Sequence, residues 1–166
     1  MSGRAPASGP SVRPARSDDA PRLLELVDAL ADYEKLPRPD AGARERLMRD
    51  AFGPSPRFQV FIGERDGAPA GYALFFETYS SFLARPTLYL EDLFVHPDHR
   101  KSGLGLALFR AVAGEAVRRE CGRMEWAVLA WNRLAIDFYE RLGGAALEEW
   151  RTFRLTGEAL GAVAQR

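Results

Sequence analysis

The chain is poor in the residues that build disulfide frameworks and metal sites. Its 166 residues include one cysteine, Cys121, and two histidines, His96 and His99. A single thiol excludes an intramolecular disulfide and a cysteine-based zinc site, which favours a cytoplasmic protein. The histidines stand three residues apart around Pro97 with no thiol nearby, so we interpret them as exposed loop residues and expect no metal.

An excess of charge of one sign and long apolar runs are also missing. The 23 basic and 23 acidic residues give a formal charge of zero. This balance argues against nucleic acid as a partner, because such binding requires cations to displace counterions. Residues 1–10 have no apolar core, so we expect a flexible tail there and neither a signal peptide nor a membrane anchor. Residues 11–166 are of ordinary size for a single domain.

The first half of the chain predicts one strand, two helices and then three strands. The segment "VRPAR" is typical of a strand, and Ser17 is expected to cap the helix after it. "PRPD" ends that helix, and Asp40 is expected to cap a second one. "RFQVFIGE" and "GYALFFETY" predict a hairpin around Asp66 and Gly67, and "TLYLEDLFV" predicts the strand that follows.

The second half alternates helices with strands. We expect a helix from Gly103 to about Glu120 with Gly122 as its stop, then a buried strand over "MEWAVLAW". A helix over residues 132–142 ends at Gly143, and "LEEWRTFRL" predicts a closing strand. The order β-α-α-β-β-β-α-β-α-β has no repeat and no linker, which predicts one mixed α/β domain.

A basic loop with two glycines, "HRKSGLG", stands directly before the third helix. Glycine lets backbone N–H groups approach an anion, and a helix N-terminus favours negative charge. The loop lacks the Walker A spacing, and Leu108 stands where the dinucleotide fingerprint needs its third glycine. The pattern [QR]-x-x-G-x-[GA] is met, by Arg100, Lys101, Ser102, Gly103, Leu104 and Gly105. Alone, this pattern indicates anion binding and no more.

The loop resembles the pyrophosphate loop of the GNAT superfamily of acyl-CoA-dependent N-acetyltransferases. "LYLEDLFV" precedes it, and "LAWNRLAIDFYERLGG" follows as a second β-α unit. With "ADYEKL", these segments look like the diamine (spermidine/spermine) and thialysine acetyltransferase branch, in matching order from about Val12 to Leu155. The resemblance implies the GNAT fold, in which a central, mostly antiparallel sheet is splayed near its fourth strand and carries helices on both faces.

The resemblance also implies a site for acetyl-CoA as cosubstrate. The end of the "LYLEDLFV" strand would present backbone groups to the acetyl and pantetheine portion. The loop would donate N–H groups to the pyrophosphate, while Arg100 and Lys101 add positive charge. The implied cofactor-binding residues are Leu93, Phe94, Val95, Arg100, Lys101, Ser102, Gly103, Leu104, Gly105, Asn132, Ala135 and Tyr139.

Acetyl transfer to an amine requires removal of the amine proton and an acid for the leaving thiolate. Tyr139 follows Asn132 by two helical turns, so both face one side of the predicted helix. By resemblance Tyr139 is the acid, and the alternative is a half-buried structural tyrosine. Glu91 would act as a base through water or as a cation anchor, unless it only pairs with an arginine. The implied substrate-binding residues are Glu34, Glu91, Asp92 and Glu149.

Two departures from the diamine branch bear on the acceptor. Ser80 follows Tyr79 where that branch has aspartate, and Ala130 precedes "WN" where relatives often have glutamate. Fewer carboxylates disfavour a long polycation, because each partly desolvated ammonium needs an acidic partner. The departures therefore favour a smaller amine within the expected class of acceptors, the primary amines of small molecules such as a diamine, a polyamine or a thialysine-like amine. Direct transfer in a ternary complex is implied, so Cys121 is expected to be dispensable.

Two other functions stay open at this point. One is acetylation of a different acceptor, such as an amino acid, an antibiotic amine or a protein N-terminus. The other is a non-catalytic acyl-CoA-binding module, which would need neither Tyr139 nor Glu91. The resemblance further implies a homodimer, and no membrane partner is expected.

Overall fold

The computed structural model describes residues 9–165. These residues divide into two compact units, with the boundary between Ala127 and Val128. Most of the tail predicted for residues 1–10 lies outside the described residues. The single domain expected over residues 11–166 stays a prediction.

The first unit is built on a five-stranded sheet in which sequence order is also spatial order. Its strands are β1 (Ser11–Pro14), β2 (Gln59–Arg65), β3 (Ala68–Ser80), β4 (Arg85–Val95) and β5 (Arg123–Trp126). The first four pair antiparallel, and β5 runs parallel to β4. Asp66 and Gly67 join β2 to β3 with φ values of 52° and 78°, which is the backbone a two-residue hairpin turn requires. The predicted hairpin is confirmed.

Three helices belong to this unit: α1 (Ala20–Glu34), α2 (Ala41–Phe52) and α3 (Leu104–Arg118). The cap predicted at Ser17 is wrong, because a short 3-10 turn intervenes and α1 starts after Asp19. The Asp19 carboxylate there accepts the backbone N–H of Arg16 at 2.7 Å. The cap predicted at Asp40 is confirmed, since its Oδ1 accepts the backbone N–H of Ala43 at 2.8 Å.

Apolar side chains cover both faces of the sheet, because successive strand residues point to opposite sides. One layer packs the sheet against α3, and the other packs it against α1. The first layer includes Phe75, Leu88, Leu90, Leu104, Leu108 and Val112. The second includes Leu23, Leu26, Ile62, Tyr72, Leu74 and Phe94. A mixed α/β fold with helices on both faces is therefore confirmed.

Two boundaries in the second half differ from the sequence prediction. Glu120, at φ 56°, ends α3 in the left-handed conformation that was expected of Gly122. The Gly122 N–H instead donates to the Pro86 carbonyl at 2.9 Å and leads into β5. The strand predicted over "MEWAVLAW" stops at Trp126, because its pairing with β4 stops there.

The second unit contains α4 (Arg133–Arg141) and α5 (Gly157–Ala164). The predicted helix is confirmed, and Gly143 behind it has φ 89°. The closing strand predicted over "LEEWRTFRL" is wrong, since the part of this unit that the structure describes holds no strand. The Trp150 and Phe153 side chains are 76% and 91% exposed. The alternation of apolar residues in this segment is typical of a half-buried strand, but a stable strand also needs a neighbouring strand to pair with.

Candidate active site

The last stretch of β4 has a paired edge and an open edge. On one side β4 stays paired with β3 as far as Val95. On the other side its pairing with β5 ends at Leu90 and Trp126, and no described residue continues it along residues 91–95. Strand backbone groups point alternately to the two sides, so the groups of residues 91–95 that point away from β3 have no strand partner among the described residues; of these, the Val95 carbonyl accepts the Arg100 Nε at 3.2 Å. This is the splay predicted near the fourth strand, and it contains Leu93, Phe94 and Val95.

The basic loop connects this stretch to α3. Lys101 and Gly103 both have positive φ, 59° and 83°. The value at Gly103 favours glycine, because a Cβ is strained in that conformation. Gly103 is the N-cap of α3 and provides no side-chain cap. The first backbone N–H groups of α3 therefore have no partner within the helix, which is the arrangement that binds phosphate oxygens.

The Arg100 side chain connects the loop to β4 and α1 of the first unit. Its Nε donates to the Val95 carbonyl at 3.2 Å. Its guanidinium carbon lies 4.6 Å from the ring centre of Tyr33 and 5.9 Å from that of Phe94. These contacts direct the Arg100 side chain to the end of β4 and to α1.

The other loop residues differ in exposure. The Lys101 side chain is exposed, so its ammonium is available to an anion. Ser102 Oγ donates to the His99 carbonyl at 2.6 Å and stabilises the turn. Leu104 is 1% exposed and belongs to the core, so only its backbone N–H can reach a ligand. Gly105 lies next in α3, where a Cβ would meet Val95 Cγ2 at 3.7 Å.

Glu91 and Asp92 stand at an irregularity of β4. Leu74 pairs with Asp92, and the next residue of β3, Phe75, pairs with Leu90, so Glu91 is an extra residue in the strand. Successive residues of a regular strand face opposite sides, but a bulge turns a side chain out of that alternation, and both residues line the same groove.

This groove is open to solvent and has a volume of about 520 Å³, within the range of small-molecule sites. Most of its wall is apolar, and Glu91 and Asp92 place two acids on it. Arg57 lines it as well; the Arg57 side chain is 78% exposed, and its Nε lies 3.9 Å from Asp50. The lining residues are Leu47, Arg57, Phe58, Leu74, Phe76, Glu91 and Asp92.

Three acidic residues of the first unit, Glu34, Glu91 and Asp92, share one electrostatic environment. Burial raises the pKa of Asp92 to about 6; the hydrogen bond from Tyr72 opposes this, and the charges of Glu91 and Glu34 add to it. Tyr72 Oη donates to Asp92 Oδ2 at 3.0 Å. Burial also raises the pKa of Glu34. Of the four predicted substrate carboxylates, Glu34, Glu91 and Asp92 are thus brought together, and their field favours a cation.

The remaining predicted site residues belong to the second unit. Asn132 caps α4, because its Oδ1 accepts the Ala135 N–H at 3.2 Å. Tyr139 is half-buried, and its ring centre lies 5.3 Å from that of Phe138. Burial raises the pKa of Tyr139 to about 12, so the phenol holds its proton at neutral pH and can donate it. Glu149 is exposed in a turn of this unit, and its role stays a prediction.

Sequence reasoning missed Tyr72 and Arg57. A tyrosine in an apolar strand is a usable signal, because a buried phenol needs a hydrogen-bond partner. Finding that partner in Asp92 also requires the register of β3 against β4. Arg57 stands among turn residues before β2, and nothing in its local pattern separates it from other exposed arginines.

Across residues 9–165, no group of three or more histidine, cysteine, aspartate or glutamate side chains could hold a metal ion. Within that range no helix combines the length and apolar character needed to cross a membrane.

Comparison with known proteins identifies the relatives of this chain. Residues 23–144 match the Acetyltransferase (GNAT) family. The chain is 35% identical over 164 residues to thialysine N-epsilon-acetyltransferase of Bos taurus, covering 92% of this chain and 96% of that protein. It is 48% identical over 110 residues to L-ornithine N5-acetyltransferase of Arabidopsis thaliana, covering 65% of this chain and 48% of that protein.

Solved structures share the fold. An integron cassette protein from the mobile metagenome of V. cholerae superposes with a TM-score of 0.79 at 20% identity, covering 96% of this chain and 99% of that one.

Proposed function

Because the chain belongs to the GNAT acetyltransferase family, and so to the acyltransferase class of enzymes, we propose that it moves an acetyl group from acetyl-CoA to a primary amine of a small molecule. Diamines, short polyamines and thialysine-like amines are the proposed acceptors. The observation that carries the proposal is the acidic groove of Glu91 and Asp92, which lies on the same strand as the open edge over residues 91–95.

The residues of the first unit fit acetyl-CoA as the donor of the acetyl thioester. The uncapped N-terminus of α3, with Gly103 at positive φ, supplies backbone donors for the pyrophosphate. The exposed Lys101 adds charge beside them. The backbone groups along residues 93–95 that have no strand partner are assigned to the thioester and pantetheine portion, except the Val95 carbonyl, which already accepts the Arg100 Nε. On α4, we assign Asn132 and Ala135 to the cofactor by resemblance.

The proposed reaction forms one bond and breaks one. The neutral amine nitrogen bonds to the acetyl carbon, the carbon–sulfur bond breaks, and the thiolate takes a proton from Tyr139. Glu91 takes the amine proton through water, or it anchors the ammonium while solvent water takes that proton. Burial raises the pKa of Cys121, which keeps its thiol protonated and disfavours it as a nucleophile. Direct transfer is therefore favoured over a covalent intermediate.

The charged and apolar residues of the groove narrow the range of amines that we propose as acceptors. The carboxylates suit one ammonium, and the apolar wall suits a short methylene chain. Arg57 lines the same groove with a largely exposed guanidinium. The second ammonium of a diamine would meet repulsion there with nothing to offset it, whereas the α-carboxylate of an amino acid stands beside the α-ammonium and would meet a partner in Arg57. This favours an amino acid with a side-chain amine, and two similar proteins are named for the thialysine Nε and L-ornithine N5 positions.

A thiol-release assay with acetyl-CoA and a panel of amines tests the proposal. We expect turnover with thialysine, ornithine or putrescine and little with an aminoglycoside or a peptide N-terminus. Glu91→Gln should lower kcat/KM, whereas Glu45→Gln, an exposed acid on α2, should not. Binding of acetyl-CoA without turnover on any amine would instead indicate a non-catalytic module.

A further inference from the structure

We propose that Tyr72 is a positioning residue that acts through Asp92. Its hydroxyl orients the Asp92 carboxylate and favours the anionic form, so that the free oxygen faces the ammonium of the acceptor. The inference rests on the proposed function, because it concerns the groove assigned to the acceptor amine.

The position of the Tyr72 hydroxyl is fixed by packing. Tyr72 is 0% exposed in the layer between the sheet and α1. Its ring centre lies 6.4 Å from that of Phe94, with which it pairs across β3 and β4. Asp92 pairs with Leu74, so Tyr72 and Asp92 are diagonal neighbours, a relation that long side chains bridge. The 3.0 Å bond to Oδ2 is therefore formed by a donor that cannot turn away.

The Tyr72 hydroxyl lowers the pKa of Asp92, whereas every other described influence raises that pKa. Glu34 faces Asp92 from α1, Glu91 precedes it on β4, and Tyr72 faces it from β3. Both carboxylates and burial favour the protonated form, while the hydroxyl bond favours the anion. Burial and the charge of Asp92 raise the pKa of Tyr72 well above its ordinary value. The phenol therefore keeps its proton and remains a donor throughout the working pH range.

The bond leaves one carboxylate oxygen for the acceptor. Oδ2 is engaged by Tyr72, so Oδ1 is the oxygen available to an ammonium in the groove. Without the hydroxyl, Asp92 would be free to rotate and would bind its proton more tightly. Loss of the hydroxyl should therefore weaken capture of the cationic acceptor most at mildly acidic pH.

Carboxyl ¹³C NMR of the full-length protein measures the first consequence without any substrate. We expect the titration midpoint of Asp92 to shift upward in Tyr72→Phe, which retains the ring and its packing. Tyr79→Phe removes a hydroxyl from the same strand at a side chain that is 68% exposed, and it should leave the midpoint unchanged. An unchanged midpoint in Tyr72→Phe would overturn the inference. Circular dichroism checks that each variant is folded.

Kinetics measure the second consequence. With one amine throughout, the ratio of kcat/KM between wild type and Tyr72→Phe cancels the ionisation of the acceptor. We expect a severalfold loss near pH 6 that shrinks toward pH 8.5. In an Asp92→Asn background, Tyr72→Phe should cause no further loss. An equal loss in that background, or a loss independent of pH, would show a merely structural role. If no amine is turned over, the proposed function fails while the NMR result still stands.

Discussion

Replacing Asp92 by asparagine is expected to stabilise the protein above about pH 6 while lowering its activity. Burial and neighbouring carboxylates raise the pKa of Asp92 from about 3.8 to about 6. An acid whose pKa is raised on folding favours the folded state below its unfolded pKa, and this contribution is lost as the pH rises through the folded pKa. At about 1.36 kcal/mol per pH unit, the shift costs the wild type on the order of 3 kcal/mol at pH 8.

Urea unfolding of the two proteins at pH 4.5 and pH 8 measures this cost. The free energy of unfolding of Asp92→Asn should exceed that of the wild type at pH 8, and the difference should shrink at pH 4.5, where wild-type Asp92 is protonated. Asp18→Asn, which changes an exposed aspartate, is the matched control. A variant that is less stable than the wild type at pH 8 would refute the electrostatic reasoning.

Three further changes test other parts of the account. Tyr139→Phe should lower kcat about a hundredfold, the range for a general acid, and the wild-type kcat should not fall between pH 8 and 10, because the phenol titrates near 12. Gly103→Ala should cost about 1 kcal/mol and raise the KM for acetyl-CoA because of its φ of 83°, whereas Gly114→Ala, with open space around it in α3, should not raise that KM. Arg57→Ala should lower kcat/KM for ornithine more than for putrescine; an equal effect on both would exclude Arg57 from carboxylate recognition.

Features with a local cause were predictable from the sequence. The hairpin at Asp66 and Gly67 follows from backbone conformations that few residues adopt. The caps at Asp40 and Asn132 follow from short side chains that accept a nearby N–H. The loop before α3 could be placed because Gly103 and its flanking strand and helix all lie within one stretch of chain.

Features that depend on distant pairing were not predictable. The closing strand around Trp150 has the right alternation, yet no strand pairs with it in the residues described. Glu91 and Asp92 line one groove because the register of β3 against β4 shifts beside them. The bond between Tyr72 and Asp92 depends on the same register. Each of these features depends on which residues of two strands lie side by side, and the sequence of one strand alone does not determine that pairing.

Product analysis by mass spectrometry tests the central claim most directly. The protein is incubated with acetyl-CoA and thialysine, ornithine or putrescine, and acetylated amine is counted against CoA released. The account predicts one acetyl group on the amine per CoA, with a large loss in the Glu91→Gln, Asp92→Asn double variant. Binding of acetyl-CoA with no acetylated product from any amine would contradict it.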